Sequence, residues 1–213
     1  MLLTEVSKYL ECKKIYNLRN KNLRFKNIYT NSKNVTEFSI FVISNNIKNK
    51  KKYIEEAVNK GAIAIITNKC FKNIKITQFI VQDINSSLTI LLHKLKPHKP
   101  INSIAVTGTN GKTSVVWYIA QICYYNKILT KSYGTLGYYI NCIKKSDSIL
   151  TTPENEILHQ TAFSKNKNSY NYIFEASSHA LHQDRLKNFP IEIAAITNLS
   201  QDHLDYHKNF KSY

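Results

Sequence analysis

Residues 103–114 read SIAVTGTNGKTS: a short apolar run breaks off into glycines, hydroxyl residues and one lysine, and VVWYIAQICYY (115–125) follows. An apolar strand, a Gly-rich loop and a helix, in that order, form a setting suited to holding phosphate. Gly108 and Gly111 allow positive φ and let backbone N–H groups approach a ligand closely. Lys112 adds a point charge, and the Thr113 hydroxyl is placed to reach a magnesium ion. A helix N-terminus adds unpaired N–H groups that already point toward an anion. The general phosphate-loop pattern would put glycine at position 106, where this chain has Val106, so the match is to the shorter G-x-x-G-K-T. The competing interpretation is a glycine-rich turn joining strand to helix. The flanking elements favour phosphate.

Two further apolar runs, YNYIFEAS (170–177) and IEIAAITNLS (191–200), join SIAVTG (103–108) as expected parallel strands covered on both faces. Ligands of open α/β sheets bind beyond the carboxyl ends of the strands. Each run ends in polar chemistry: TGTNGKTS, EASSHALHQDR (175–185) and TNLSQDHLDYH (197–207). Three such segments at one sheet edge converge on one site. Glu175 closes an apolar strand, where an unpaired carboxylate is expensive. A cation bridging phosphate oxygens would compensate it, with Thr113 and Glu175 as hard-oxygen ligands; a hydrogen-bonded structural glutamate is the alternative. His179 and His182 have helical spacing but no further ligand at zinc spacing. His203 is ambiguous by spacing alone, as lone histidines usually are.

Upstream, EFSIFVIS (37–44), GAIAIIT (61–67) and QFIVQD (78–83) read as short buried strands, and YIEEAVNKG (53–61) as a helix ending at Gly61. NSSLTILLHKLK (85–96) is a second helix, with Asn85 or Ser86 expected as its N-cap. The prolines of PHKP (97–100) end it and suggest a linker. The expected organisation is therefore an α/β chain of two domains, 1–97 and 98–213.

The 213 residues, 43% of them hydrophobic, suffice for a core in each domain. Cys12, Cys70, Cys123 and Cys142 form no C-x-x-C pair, which suits reduced thiols in a cytoplasm. Glu5 and Lys8 interrupt the apolar N-terminus, so it is not a signal peptide. No apolar run approaches the roughly 20 residues of a membrane span. The formal charge of +16 invites nucleic acid. The lysines are dispersed, however, with local clusters only at 47–53 and 164–172 and no nucleic-acid motif beside them. Neither nucleic acid nor membrane insertion is expected.

In order and spacing, VTGTNGKTS, LTTPE (150–154), EASSHALHQDRL and TNLSQDHLDYH resemble the Mur ligases, and YTNSKNVTEFSIFVIS (29–44) is similar to that family's uridine-binding segment. The resemblance covers essentially the whole chain. It implies a small N-terminal α/β domain that binds the uridine nucleotide, then a phosphate-loop, parallel-sheet ATPase domain. Gly108, Thr109, Asn110, Gly111, Lys112, Thr113 and Ser114 would hold ATP, with Lys112 on the terminal phosphates. Thr113 and Glu175 would share one Mg2+, and His203 would bind a second. Lys112, Glu175 and His203 are thus the implied catalytic residues. Ser32 would contact the uridine nucleotide, and Thr151, Thr152, Ser177, Gln183 and Arg185 the muramoyl-dipeptide. Arg185 suits bidentate binding of carboxylate or phosphate.

The implied reaction is ATP-dependent ligation of a diamino acid (meso-diaminopimelate or L-lysine) to UDP-N-acetylmuramoyl-L-alanyl-D-glutamate through an acyl phosphate, by a cytoplasmic monomer. Asn31 and Lys33 depart from the acidic and arginine neighbours usual for Ser32, and NNIKNKKKY (45–53) lacks the common aspartate–glycine pair. Family members continue beyond the position of Tyr213 with a carbamylated lysine and a C-terminal domain, so the chain is expected to be an N-terminal fragment. One alternative is a non-catalytic remnant that binds UDP-sugar or nucleotide. Another is the folylpolyglutamate synthetase group, which shares the ATP loop but lacks a domain like 1–97.

Overall fold

The computed structural model describes residues 1–18, 20, 22–43, 47–165 and 167–213. Ser44 of the expected strand, Asn45 and Asn46 of the 45–53 loop and Asn166 of the 164–172 cluster lie outside the described residues. The chain divides into two compact units, Met1–Leu95 and Lys96–Tyr213.

In the first unit a 3-10 turn (Leu3–Glu5) runs into α1 (Val6–Tyr9), followed by β1 (Cys12–Tyr16), β2 (Asn27–Tyr29), β3 (Ser39–Val42), α2 (Lys50–Asn59), β4 (Ala62–Thr67), β5 (Thr77–Val81) and α3 (Ile84–Leu95). The sheet order is β1-β5-β4-β3-β2, with every pair parallel except β1–β5. Side chains alternate along a strand, so each of these runs supplies two cores. Ile40, Val42, Ala64 and Ile66 pack with Leu88, Leu91 and Leu92 of α3. Phe41, Ile43 and Ile65 pack with Ile54 and Ala57 of α2 on the opposite face. Two-sided burial is why these strands read as continuous apolar runs. β1 was not legible, because CKKIY is mostly exposed at an antiparallel edge. Its lysines discourage further pairing there.

The second helix starts one residue earlier than its expected caps. Asp83, not Asn85 or Ser86, does the capping: the Ser86 N–H donates to Asp83 Oδ1 at 3.1 Å and the Ser86 hydroxyl to Oδ2 at 2.7 Å. Asp83→Ala is therefore expected to cost about 1 kcal/mol. Urea denaturation followed by far-UV circular dichroism checks this, and an unchanged midpoint would remove Asp83 from the role.

The second unit contains β6 (Asn102–Thr107), α4 (Lys112–Tyr125), β7 (Thr130–Gly134), β8 (Gly137–Ile140), β9 (Ile143–Ser146), α5 (Asn155–Ala162), β10 (Asn171–Glu175), α6 (Ser178–His182), β11 (Ile193–Ile196) and α7 (Leu204–His207). The sheet order is β11-β6-β10-β7-β8-β9. The first four strands are parallel, and β8 and β9 are an antiparallel extension. Val116 and Cys123 of α4 pack on Val106 and Ile173, while Leu158 and Ala162 of α5 pack with Tyr172 and Phe174 on the other face. Within these residues β11 is covered on neither face as fully as β6 and β10. It is an edge strand, with Ile193 48% and Ile196 73% exposed. The proline segment belongs to this unit, where His98 and Ser164 exchange backbone hydrogen bonds of 3.2 and 2.9 Å.

Candidate active site

Register brings the polar strand ends together. Glu175 pairs with Val106, and Ile196 with Thr107, so β10, β6 and β11 end at one edge of the sheet. A cavity of about 470 Å³ opens there. Its walls include the loop Gly108–Thr113, then Thr135, Leu150–Thr152, Glu175, Ser177–His179, Arg185 and His203.

The Gly-rich loop occupies the turn between β6 and α4, and Gly111 is the N-cap of the helix. Gly108 has φ +132°, a region closed to most side chains. A Cβ there would also lie 2.1 Å from Thr197 Oγ1 and 2.9 Å from the Asn198 carbonyl oxygen. The crowding marks a brace that the sequence did not disclose. The Thr197 hydroxyl donates to the Asn110 carbonyl at 2.6 Å. The Asn198 amide donates to the same carbonyl at 3.0 Å and accepts the Asn110 N–H at 3.0 Å. Thr109 N–H donates to the Asn198 carbonyl at 3.1 Å. The stretch after β11, singled out for His203, thus also fixes the loop's shape. Lys112 curls back, its Nζ donating to the carbonyls of Gly108 at 2.5 Å and Thr109 at 2.8 Å.

Glu175 is 1% exposed, yet its carboxylate borders the cavity. Oε2 accepts from the Thr113 hydroxyl at 2.9 Å and the Thr135 hydroxyl at 3.3 Å, and Oε1 from the Thr135 N–H at 2.7 Å. A Cβ at Gly134 would sit 2.1 Å from Oε1, so only glycine leaves room for this carboxylate. Neither Gly134 nor Thr135 was singled out from the sequence. The signal was present as GTLG (134–137), a two-residue hairpin turn between glycines.

Thr151, Thr152, Ser177 and Arg185 line the cavity beside Glu175. The Thr152 hydroxyl donates to the Glu175 carbonyl at 2.7 Å and accepts the Ser177 N–H at 2.9 Å. Arg185 Nη1 donates to the Thr152 carbonyl at 2.8 Å, and its Nε and Nη2 reach Gln183 Oε1 at 3.0 and 2.5 Å. Gln183 props the guanidinium and does not line the cavity. Ser114 is exposed and also lies off the cavity. Ser32 belongs to the first unit, 3% exposed, with its hydroxyl donating to Glu56 Oε2 at 2.7 Å.

His203 reaches the cavity rim with a left-handed φ of +49°, and its N–H donates to Asp202 Oδ1 at 2.8 Å. Its ring stands 4.8 Å from that of His179. Burial, then the neighbouring His203 and His207, hold His179 below the usual histidine pKa. His182 instead contacts the Tyr206 hydroxyl at 2.9 Å. No group of three or more His, Cys, Asp or Glu able to hold a metal exists among the described residues. A magnesium ion needs less from the protein: one or two carboxylates, with phosphate and water completing its shell. A buried carboxylate touching a hydroxyl beside a Gly-rich loop at a helix start fits that requirement.

The Mur ligase middle domain family matches residues 106–213. A UDP-N-acetylmuramoyl-L-alanyl-D-glutamate–2,6-diaminopimelate ligase of Rickettsia prowazekii (strain Madrid E) is 40% identical over 207 residues, 93% of this chain and 43% of the relative. The ligase of the same name from Oceanobacillus iheyensis is 35% identical over 217 residues, 98% of this chain and 44% of the relative. The chain thus spans about two fifths of the length of these relatives. A solved structure of a ligase of that name superposes over 100% of this chain and 43% of its own, with TM-score 0.70 and 27% identity. A MurF ligase from Thermotoga maritima, solved with ADP, shares the fold at TM-score 0.57 and 22% identity, over 91% of this chain and 42% of its own. Because the matched half of the sequence is the half whose strand ends build the cavity, the chain belongs to the Mur ligase family.

Proposed function

We propose that the chain carries the nucleotide and muramoyl sites of an ATP-dependent amide ligase. The ligase adds a diamino acid to UDP-N-acetylmuramoyl-L-alanyl-D-glutamate. The observation that carries this reading is one cavity lined both by the phosphate loop with Glu175 and by Thr151, Thr152, Ser177 and Arg185. Ligands held by the two sets of residues would meet within it. The relatives' names give 2,6-diaminopimelate as the added amino acid. We take that amine here, in place of L-lysine. Unit 1 is assigned to the uridine end of the substrate by the resemblance of residues 29–44. Ser32 would there exchange its bond to Glu56 for one to the nucleotide. Free cysteines and the absence, among the described residues, of a helix able to cross a membrane are compatible with a cytoplasmic site of action.

In the reaction, the substrate's terminal carboxylate oxygen attacks the γ-phosphorus as its bond to the ADP oxygen breaks, giving an acyl phosphate. The amine nitrogen then attacks the acyl carbon, the phosphate leaves, and the nitrogen loses a proton. The chain supplies positioning and charge. Loop N–H groups and the start of α4 hold phosphate oxygens. Lys112 exchanges its two carbonyl partners for the terminal phosphates. Arg185, preset by Gln183, orients the carboxylate-bearing substrate. Thr113, Glu175 and, at the rim, His203 would hold magnesium, which supplies neutralisation of charge on the transferred phosphoryl group.

Calorimetry with UDP-N-acetylmuramoyl-L-alanyl-D-glutamate tests the muramoyl assignment. Arg185→Ala removes charge-assisted hydrogen bonds and is expected to weaken binding about tenfold or more. Equal affinity in wild type and variant would refute the placement of this substrate beside Arg185.

A further inference from the structure

We infer that Thr135, at the tip of the β7–β8 hairpin, is a positioning residue that holds the Glu175 carboxylate for the cation and ties it to the muramoyl wall. The inference rests on the proposed reading of Glu175 as a magnesium ligand.

The hairpin tip grips both carboxylate oxygens. Thr135 N–H takes Oε1 at 2.7 Å, and its hydroxyl reaches Oε2 at 3.3 Å. Gly134 completes the grip by leaving space, since a Cβ there would meet Oε1 at 2.1 Å and Cδ at 2.7 Å. A carboxylate held from several sides has one available rotamer. Its remaining lone pair directions are then fixed before any cation arrives, which removes an ordering cost from binding. Partners of a ligating carboxylate tune metal affinity in this way.

The same hydroxyl lies 3.1 Å from Thr151 Oγ1, on the wall assigned to the muramoyl-dipeptide. Thr151 and Glu175 therefore share one hydroxyl group. A substrate that draws the Thr151 hydroxyl toward itself changes what Thr135 offers to Glu175. Occupancy of one wall is thus coupled to cation affinity at the other, and the coupling is reciprocal.

The test follows binding of a fluorescent ATP analogue to the 213-residue chain as Mg2+ is titrated. Thr135→Val keeps the shape and the backbone N–H but removes the hydroxyl. It is expected to shift the Mg2+ midpoint upward about tenfold. Binding of the analogue without Mg2+ should be unchanged, and Thr135→Ser should restore the midpoint. A purely structural threonine would lower the melting temperature without moving the midpoint in this selective way. Gly134→Ala, which displaces the carboxylate directly, is expected to shift the midpoint in the same direction and serves if the valine variant does not fold. A midpoint within twofold of wild type in the folded variants overturns the role of Thr135 alone. Analogue binding by the wild-type chain that ignores Mg2+ overturns the metal reading of Glu175, and this inference with it.

Discussion

Lys112→Ala is expected to weaken magnesium–ATP binding by about 100-fold, the largest loss from any single side chain of the loop. The ammonium group sits at the N-terminus of α4, 2.5 and 2.8 Å from the carbonyls of Gly108 and Thr109. Those carbonyls hold it over the loop and beside the cavity. Two charge-assisted hydrogen bonds to phosphate, at roughly 1.5 kcal/mol or more each, account for about two orders of magnitude in affinity. In turnover the loss should be at least as large, because charge on the transferred group is stabilised most in the transition state. Lys112→Arg should not restore binding fully, since the broad planar fork cannot stand in for a compact ammonium in the narrow space between the loop and the start of α4. A fluorescent-nucleotide titration with circular dichroism as the folding control measures the effect. A change under threefold would remove Lys112 from the phosphate site.

Gly108→Ala should be nearly as damaging, for a different reason. At φ +132° an L-residue is strained by on the order of 1–3 kcal/mol. The added methyl group would in addition press on Thr197 Oγ1, 2.1 Å away, and on the Asn198 backbone. Relief requires β11's end and the loop to separate, which breaks the Thr197 and Asn198 bonds to Asn110. The expected result is loss of nucleotide binding together with a lower melting transition for Lys96–Tyr213, while Met1–Leu95 keeps its own transition. Gly111→Ala is the control. A Cβ there meets nothing closer than Thr197 at 3.9 Å, so only its φ of +84° is penalised. If Gly108→Ala binds nucleotide as wild type does, the brace is not what shapes the loop.

The fold was legible where two-sided burial falls on apolar runs; β7, TKSYG, is an interior strand with Thr130, Ser132, Tyr133 and Gly134 buried, but its polar residues gave no such run. β3, β4, β5, β6 and β10 are apolar runs because both faces pack, and their order with the helices follows from that alternation. β8 and β9 escaped notice because GYYI and IKKS are half-buried or exposed at the end of the sheet, where no apolar run is required. β11 reads as an apolar run like the covered strands, and Ile193 and Ile196 are exposed in these 213 residues. Its alanines and isoleucines look the same in sequence whether or not a layer lies over them. The N-cap of α3 was misplaced because Asp83 closes the preceding strand segment and was counted with it.

Of the residues that the motifs singled out, Gly108–Thr113, Glu175, Thr151, Thr152, Ser177, Arg185 and His203 border one cavity. Residues that act by touching those were not singled out. Thr135, Thr197 and Asn198 function through contacts some 40 to 90 positions away in sequence, such as Thr135 with Glu175 and Asn198 with Asn110, and no spacing rule connects them. Gln183 illustrates the converse. Its motif points to ligand contact, and its side chain accepts hydrogen bonds from the Arg185 guanidinium, off the cavity lining.

The most direct measurement is a crystal structure of the chain with magnesium and β,γ-imido-ATP. The expected result is a triphosphate cradled by Gly108–Thr113 at the start of α4, Lys112 turned onto its terminal phosphates, and a cation between Thr113 and Glu175. Nucleotide bound elsewhere, or a triphosphate with Glu175 and Thr113 still bonded only to each other and to Thr135, would contradict the assignment of this cavity.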